Sequence, residues 1–145
     1  MCLTSYPATN FSFPARSPIN SPSRSQETDE NTQTDKKSAD VLTGLLGTDV
    51  SVEDGRIAAR FAALSLLAQA KAALGTLDRV VQILRVTGFV ASAPGFYEQP
   101  AVINGASDLL VAALGDAGRH TRSAIGVANL PLNTCVEIDA IIKVR

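Results

Sequence analysis

At 145 residues and a formal net charge of −1, the chain has the length of a single domain and no excess of basic residues. The near-equal numbers of acidic and basic residues exclude strong electrostatic attraction to nucleic acid or to an anionic membrane, so we expect neither as a partner. Two cysteines and one histidine are too few to complete a zinc site, and no uninterrupted apolar run reaches the roughly 18 residues of a membrane span.

Residues 1–40 have the composition of a disordered tail, rich in Ser, Thr, Pro, Asn and Asp and without helical or strand periodicity. Such a segment buries too little apolar surface to offset the entropy of ordering it. An organellar transit peptide is the alternative, because residues 1–25 contain Arg16, Arg24 and many serines but no acid. We expect the folded domain in residues 41–145.

The two cysteines, Cys2 and Cys135, are expected in the tail and in a strand, so no disulfide is predicted. Disulfides form and persist in oxidising compartments, so the expected lack of a disulfide favours a reducing compartment. We expect cytoplasmic localisation, with a mitochondrial location under the transit-peptide alternative.

Residues 41–47 form a short apolar segment that contains two glycines, which is typical of an edge strand or its remnant. A long helix follows: Ser51 and Asp54 predict a weak capping box at its start, and Gly75 predicts its end. Large apolar residues recur along it at helical spacing, and we expect them to face the core. They are Ile57, Phe61, Leu64, Leu67 and Leu74.

Residues 80–90 are rich in β-branched side chains and predict a strand buried on both faces. After a loop, Pro100 suits the first turn of a second helix, and Gly115 ends its pattern. The apolar positions of this helix repeat at three- and four-residue steps. They are Val102, Ile103, Ala106, Leu109, Leu110, Ala113 and Leu114.

Two further apolar runs, at residues 122–127 and 135–142, flank a segment with Asn129, Pro131 and Asn133 and predict a β-hairpin. Side chains alternate along strands, so a register that buries both apolar sets places Arg122 and Glu137 on the same opposite face. A guanidinium beside a carboxylate can hold an anionic ligand and position a water molecule. The sequence therefore predicts a ligand site there.

The order of elements is strand, helix, strand, helix, strand, strand, which predicts an α+β fold. Each amphipathic helix has one apolar stripe to bury, so both helices are expected on one face of a mixed sheet. The strand–helix–strand connection should be right-handed.

The sequence Arg-Ser-Ala-Ile-Gly-Val at residues 122–127, then Leu-Pro and Val-Glu-Ile-Asp-Ala-Ile at 136–141, resembles the C-terminal signature of the Rid family. These are the YjgF-type proteins, often catalogued as L-PSP endoribonucleases. The resemblance covers about residues 42–144 and implies a chorismate-mutase-like fold and a homotrimer with ligand clefts between subunits. The family's opening strands, of the type Leu-Leu-Phe-x-Ser-Gly-Gln, have no counterpart in residues 1–40, which suggests a frameshifted or mispredicted reading frame.

The resemblance implies hydrolysis of reactive enamines and imines, such as 2-aminoacrylate, to a keto acid and ammonia without a cofactor. Arg122 matches the arginine that holds the substrate carboxylate, and Glu137 matches the acid that positions water. Asn104 corresponds to an asparagine near the cleft, and Ala124 stands where well-known members carry a cysteine in the binding site. The expected ligand is a small carboxylate-bearing imine or keto acid.

Each assignment has a structural alternative. Arg122 could form an interface salt bridge, Glu137 could be a structural partner, and Asn104 could be a surface residue of a helix. His120 is either an exposed bystander or an acid–base group. For the whole chain the alternatives are a non-catalytic, small-molecule-binding regulatory trimer and an endoribonuclease, although the sequence has no basic stripe, aromatic platform or paired histidines for the latter.

Overall fold

The computed structural model describes residues 42–145 and the backbone of residues 2–5. Within this part of the chain, two helices, α1 (Val52–Leu74) and α2 (Gln99–Leu114), pack against one face of a mixed sheet. The α+β fold with both helices on one face is confirmed. The described strands are β1 (Cys2–Ser5), β2 (Val80–Ala91), β3 (Thr121–Val127) and β4 (Val136–Val144).

Strand β2 lies between β3 and β4, in the spatial order β1-β4-β2-β3. It pairs in parallel with β3 and antiparallel with β4. The predicted hairpin between residues 122–127 and 135–142 is therefore wrong. The connection between them includes a short 3₁₀ helix (Pro131–Asn133) and passes the end of β2, where the Ala91 N–H donates to the Cys135 carbonyl at 2.9 Å.

The predicted start and end of α1 are confirmed. Ser51 Oγ accepts the Asp54 backbone N–H at 3.1 Å and donates to the Asp54 carboxylate at 2.8 Å. At the other end Gly75 has φ +82°, and its N–H donates to the Lys71 carbonyl at 2.8 Å. Glycine adopts this backbone conformation without the steric penalty that a Cβ atom brings, so the helix stops there.

The predicted core stripe of α1 is largely wrong. Ile57, Phe61 and Leu64 are 40, 44 and 44% exposed. The helix instead buries mostly small side chains: Gly55, Ala59, Ala63, Leu66, Leu67 and Ala70. Small residues let the two helices approach closely, as Gly105 of α2 shows, since a Cβ atom there would overlap the Arg56 carbonyl.

By length and composition alone, α1 is the one described helix apolar enough to cross a membrane. In this fold its alanine-rich side belongs to the core that it shares with α2 and the sheet. The expectation that the protein has no membrane partner therefore stays a prediction.

Helix α2 buries most of the apolar side that its sequence predicts, with Val102, Ile103, Ala106, Leu109 and Leu110 in the core. At its C-terminal end the prediction is wrong for Ala113, which is exposed, and Leu114 is half-buried. Gly88 of β2 makes room for it, because a Cβ atom at that position would overlap the Ile103 side chain. This close contact fixes α2 over the centre of the sheet and sets which of its side chains reach β3.

Four residues of the predicted tail, Cys2–Ser5, pair with β4 as strand β1. The rest of the predicted tail and most of the transit-peptide alternative fall in residue 1 and residues 6–41, which lie outside the described residues. The predicted edge strand at 41–47 is reduced to single bridges, from Thr43 to Thr134 and from Leu46 to Ser92.

Candidate functional site

Arg122 extends from β3 toward helix α2. It pairs with Val86, whose side chain is fully buried beneath the helices, and paired residues of neighbouring strands point to the same side of a sheet. Its Nη1 donates to Asn104 Oδ1 at 2.8 Å and to Ser107 Oγ at 3.2 Å. Asn104 and Ser107 are three residues apart on α2 and therefore lie on one face of that helix.

Both hydrogens of Arg122 Nη1 are used by these contacts. Among the residues that the structure describes, no acceptor lies within hydrogen-bonding distance of Nε or Nη2 of this side chain. These two nitrogens form one of the planar forks of the guanidinium, which matches the two oxygens of a carboxylate. Asn104 and Ser107 thus orient the cation and leave one edge of it available to a ligand.

His120 lies beside this cation, and both of its ring nitrogens are engaged. Nδ1 is 2.6 Å from the Gly118 carbonyl oxygen, and Nε2 is 3.0 Å from Ser107 Oγ. A carbonyl only accepts, so Nδ1 carries a hydrogen. In the neutral ring Nε2 therefore accepts the Ser107 hydroxyl hydrogen.

A cavity of about 260 Å³ opens beside these groups. Pockets for drug-sized ligands measure roughly 300–1,000 Å³, so this one suits a smaller molecule. Arg119 contributes a second guanidinium to the lining, although its Nε also donates to Asp116 Oδ1 at 3.1 Å. The lining residues are Ser107, Val111, Arg119, His120 and Arg122.

The sequence pointed to Arg122 and Asn104, and the structure places them in contact. It did not single out Ser107, and it left His120 between two interpretations. The available signal for His120 was its distance of two residues from Arg122, since alternate residues of an extended chain point to the same side. Ser107 had no such signal, because the pairing of α2 with β3 depends on the tertiary fold.

Ala124 lies two residues beyond Arg122 on β3 and pairs with Gly88, so it points to the same helix-covered side. It is half-buried and packs against the hydrophobic core. It is not among the residues that line the cavity. Its predicted role in ligand binding stays a prediction.

Glu137 lies on the opposite face of the sheet from Arg122, so the predicted shared face is wrong. It pairs with Phe89, three residues along β2 from Val86, and an odd separation on a strand reverses the direction of the side chain. The prediction failed because it rested on direct pairing of β3 with β4. Within one chain the sheet separates the carboxylate from the guanidinium.

Glu137 is only 8% exposed in the described fold. Burial, and secondarily the charge of Asp139, raises the pKa of its carboxyl group. Cys135, predicted to lie in a strand, is the residue just before β4; it is buried, and burial raises the pKa of its thiol to about 11. Among the described residues, no group of three or more His, Cys, Asp or Glu side chains is placed to hold a metal ion.

The family model described as "YjgF/chorismate_mutase-like, putative endoribonuclease" matches residues 31–142. Protein TCP17 of Trypanosoma cruzi is 47% identical over 105 residues, which cover 72% of this chain and 66% of that protein. The chain thus spans just under two thirds of the length of this relative.

Two solved structures share the fold. The crystal structure of Atu1372 from Agrobacterium tumefaciens, described as a protein of unknown function, is 50% identical, with a TM-score of 0.71. The match covers 72% of this chain and 68% of that one. A structure from Shewanella oneidensis described as a "putative endoribonuclease" is 37% identical, with a TM-score of 0.69, and the match covers 70% of this chain and 68% of the other.

Proposed function

This chain belongs to the YjgF/chorismate mutase-like family, and from that premise we propose that it hydrolyses small carboxylate-bearing enamines and imines. The substrate class is that of 2-aminoacrylate and its imine tautomer, and the products are a 2-keto acid and ammonia. No metal or organic cofactor enters the reaction.

The observation that carries this proposal is the open edge of Arg122 beside the cavity. Nη1 is held by Asn104 and Ser107, while Nε and Nη2 face no acceptor among the described residues. A pre-oriented guanidinium binds a carboxylate through two charge-assisted hydrogen bonds with little loss of side-chain entropy. The small cavity beside it suits a ligand of a few heavy atoms.

Once the carboxylate is held, the reaction needs a water molecule and groups that exchange protons. Water adds to the imine carbon, and the C=N double bond becomes the C–N single bond of a carbinolamine. A proton then moves from the hydroxyl oxygen to nitrogen, the C–N bond breaks and ammonia leaves as the C=O bond forms. The water molecule supplies the oxygen of the keto acid and two hydrogens of the ammonia.

We further propose that the active form is a homotrimer in which Glu137 of one copy faces the Arg122 site of another. Within one chain these two side chains lie on opposite faces of the sheet, so a cleft that contains both must combine residues of two copies. The helix-free face also carries exposed apolar side chains, Ile125 at 44% and Ile141 at 42%, which a neighbouring copy could cover.

The first test measures ammonia from freshly generated 2-aminoacrylate, with spontaneous hydrolysis subtracted. Arg122→Ala should abolish the protein-dependent rate, and Arg122→Lys should restore little, because lysine has charge but no fork. Arg60→Ala is the control, since Arg60 is an exposed arginine on α1 away from the cavity. Equal rates for the wild type and Arg122→Ala would refute the proposal.

The second test separates a shared cleft from a site within one chain. Chains with Arg122→Ala and chains with Glu137→Gln are co-expressed, each being inactive alone. In randomly mixed cyclic trimers about one quarter of the shared clefts contain both native residues, so about one quarter of the wild-type rate should return. No recovery in mixed trimers would contradict the shared cleft and leave the role of Arg122 standing.

A second candidate is a non-catalytic binding protein that keeps the carboxylate site without turnover. The separation of Glu137 from Arg122 within one chain is the observation that favours it. Pyruvate binding that depends on Arg122, without any ammonia release, would select this candidate.

Endoribonuclease activity is the third candidate, favoured by the family description and by that of the Shewanella oneidensis neighbour. A net charge of −1 gives little attraction to RNA phosphates. Incubation of the purified protein with a mixed-sequence RNA, with Arg122→Ala as a matched variant, tests it directly. Cleavage lost in that variant would favour this candidate.

A further inference from the structure

We propose that Ser107 and His120 form a proton relay for the reaction in the Arg122 cavity, an inference that rests on the proposed hydrolysis. Neither residue belongs to the sequence signature that identified the site. Both line the cavity, and both lie in one chain with Arg122.

The hydrogen bonds around Ser107 form a chain with a defined direction. Arg122 Nη1 donates to Ser107 Oγ at 3.2 Å, and the Ser107 hydroxyl donates to His120 Nε2 at 3.0 Å. His120 Nδ1–H donates to the Gly118 carbonyl oxygen at 2.6 Å. Every donor has an acceptor, so the neutral ring is held with a lone pair on the nitrogen that faces the serine.

Protonation of His120 reverses one link of this chain. The cationic ring carries hydrogen on both nitrogens, so Nε2 then donates to Ser107 Oγ, which still accepts from Arg122. With both lone pairs occupied, the Ser107 hydroxyl hydrogen must turn away from these partners. The cavity that Ser107 lines is then open to it.

This reversal matches the two proton transfers of imine hydrolysis. As water attacks the imine carbon, it gives a proton to Ser107 Oγ while the serine hydrogen passes to His120 Nε2, and the stored proton then returns through Ser107 to the substrate nitrogen, which completes the carbinolamine. The carbinolamine hydroxyl next gives its proton to the nitrogen by the same route, the C–N bond breaks, and ammonia leaves as the C=O bond forms. In each transfer one proton enters the relay and one leaves, so the relay ends each turnover in its starting state.

The charged groups near His120 come from β3, from the segment between α2 and β3, and from α2. Arg122 lies on β3. In the connecting segment, Arg119 directly precedes the histidine and forms an ion pair with Asp116. On α2, Asp108 is engaged by Arg56 at 3.5 Å, so it is turned toward α1. Within the described residues the side chain that touches His120 from α2 is the neutral Ser107. A relay between a serine and a histidine fits this environment, because no acid of the described residues contacts the ring.

The test compares Ser107→Ala and His120→Ala with the wild type. General acid–base catalysis contributes about 10²–10⁴-fold, so kcat should fall by about 100-fold or more in both variants. Pyruvate binding should change little in His120→Ala and weaken only about fivefold in Ser107→Ala, which loses one hydrogen bond to Arg122. Added imidazole should partly restore His120→Ala but not Ser107→Ala. Ser65→Ala is the matched control, since Ser65 is a half-buried serine on α1 with its own hydrogen bond from Gln69. A kcat within about threefold of wild type in both variants would overturn the relay.

A second measurement does not depend on activity. His120 is the only histidine in the chain, so the imidazole ¹⁵N resonances of untagged protein report on it alone. For the neutral ring we expect a hydrogen on Nδ1 and an acceptor-type Nε2, and Ser107→Ala should shift the Nε2 resonance. A neutral ring with its hydrogen on Nε2 would overturn the relay.

The outcomes distinguish this inference from the function on which it rests. If the wild type releases no ammonia, the proposed hydrolysis fails and the relay fails with it. If the wild type is active and needs Arg122 but tolerates both Ser107→Ala and His120→Ala, the hydrolysis stands and only the relay is overturned.

Discussion

The Arg122 guanidinium on β3 donates to Asn104 Oδ1 on α2 at 2.8 Å. This hydrogen bond joins a strand at the edge of the described sheet to the helix above it, and it fixes the direction in which the cation points. The site therefore depends on the packing of α2 as much as on the residues of β3. The buried side of α2, with Ile103 pressed against Gly88, sets that packing.

Loss of the Asn104 side chain should weaken substrate binding without removing the cation. For Asn104→Ala we expect KM to rise about fivefold with little change in kcat, since one hydrogen bond is worth about 1 kcal/mol. Asn104→Asp should raise KM further, because the new carboxylate competes with the substrate for Arg122. Gln69→Ala on α1 is the control, and an Asn104→Asp KM below that of Asn104→Ala would contradict the model of the site.

The close crossing of α1 and α2 predicts the effect of Gly105→Ala. In an open helix this change would stabilise by roughly 0.5–1 kcal/mol. Here the added Cβ atom overlaps the Arg56 carbonyl, so we expect destabilisation of about 1–3 kcal/mol instead. Thermal unfolding measures this, with Ala112→Gly at an exposed position of the same helix as the control for helix propensity. A raised Tm for Gly105→Ala would show that the helices do not cross this closely.

Glu137 should make the folded state less stable as the pH rises. Burial and the charge of Asp139 raise its folded pKa above the ordinary value of 4.5, so the folded state binds more protons than the unfolded state between 4.5 and the folded pKa. Its contribution to stability is thus full below 4.5 and is lost as the pH rises through the folded pKa. Denaturant titrations across this range should show a smaller decline for Glu137→Gln.

Two further variants test whether the pH dependence of stability comes from Glu137. Asp139→Asn should remove the secondary cause and move the pKa of Glu137 partly back toward its ordinary value. Glu98→Gln, at an exposed carboxylate, should leave the pH dependence close to wild type. An identical decline in Glu137→Gln and the wild type would show that this carboxyl is not buried in solution.

Cys135 should be unreactive in the folded protein. Its side chain is 1% exposed, and burial raises the pKa of its thiol from 9.0 to about 11. With Cys2 replaced by serine, a thiol reagent at pH 8 should label the native protein very slowly and the guanidinium-unfolded protein fully. Because the folded pKa is the higher one, stability should also fall as the pH rises from 9 to 11. Rapid native labelling would contradict the burial of Cys135.

Local features of the chain could be predicted from the sequence without knowledge of the tertiary structure. Ser51 with Asp54 marked the start of α1 and Gly75 its end, because capping depends on residues a few positions apart. The apolar side of α2 followed from its spacing alone. The signature that begins at Arg122 identified the family, and a sequence motif of that kind needs no coordinates.

Relations between distant segments were decided only by the tertiary structure. Alternation along a strand shows which residues share a side, but the neighbouring strand sets which side that is, and β2 rather than β3 lies beside β4. That order moved Glu137 to the face away from Arg122. The close approach of Gly105 likewise decided that the alanines of α1, rather than Phe61, are buried, and the seating of α2 on the sheet brought Ser107 to His120. These relations depend on contacts between segments far apart in the chain, and local patterns of side chains carry no information about which contacts form.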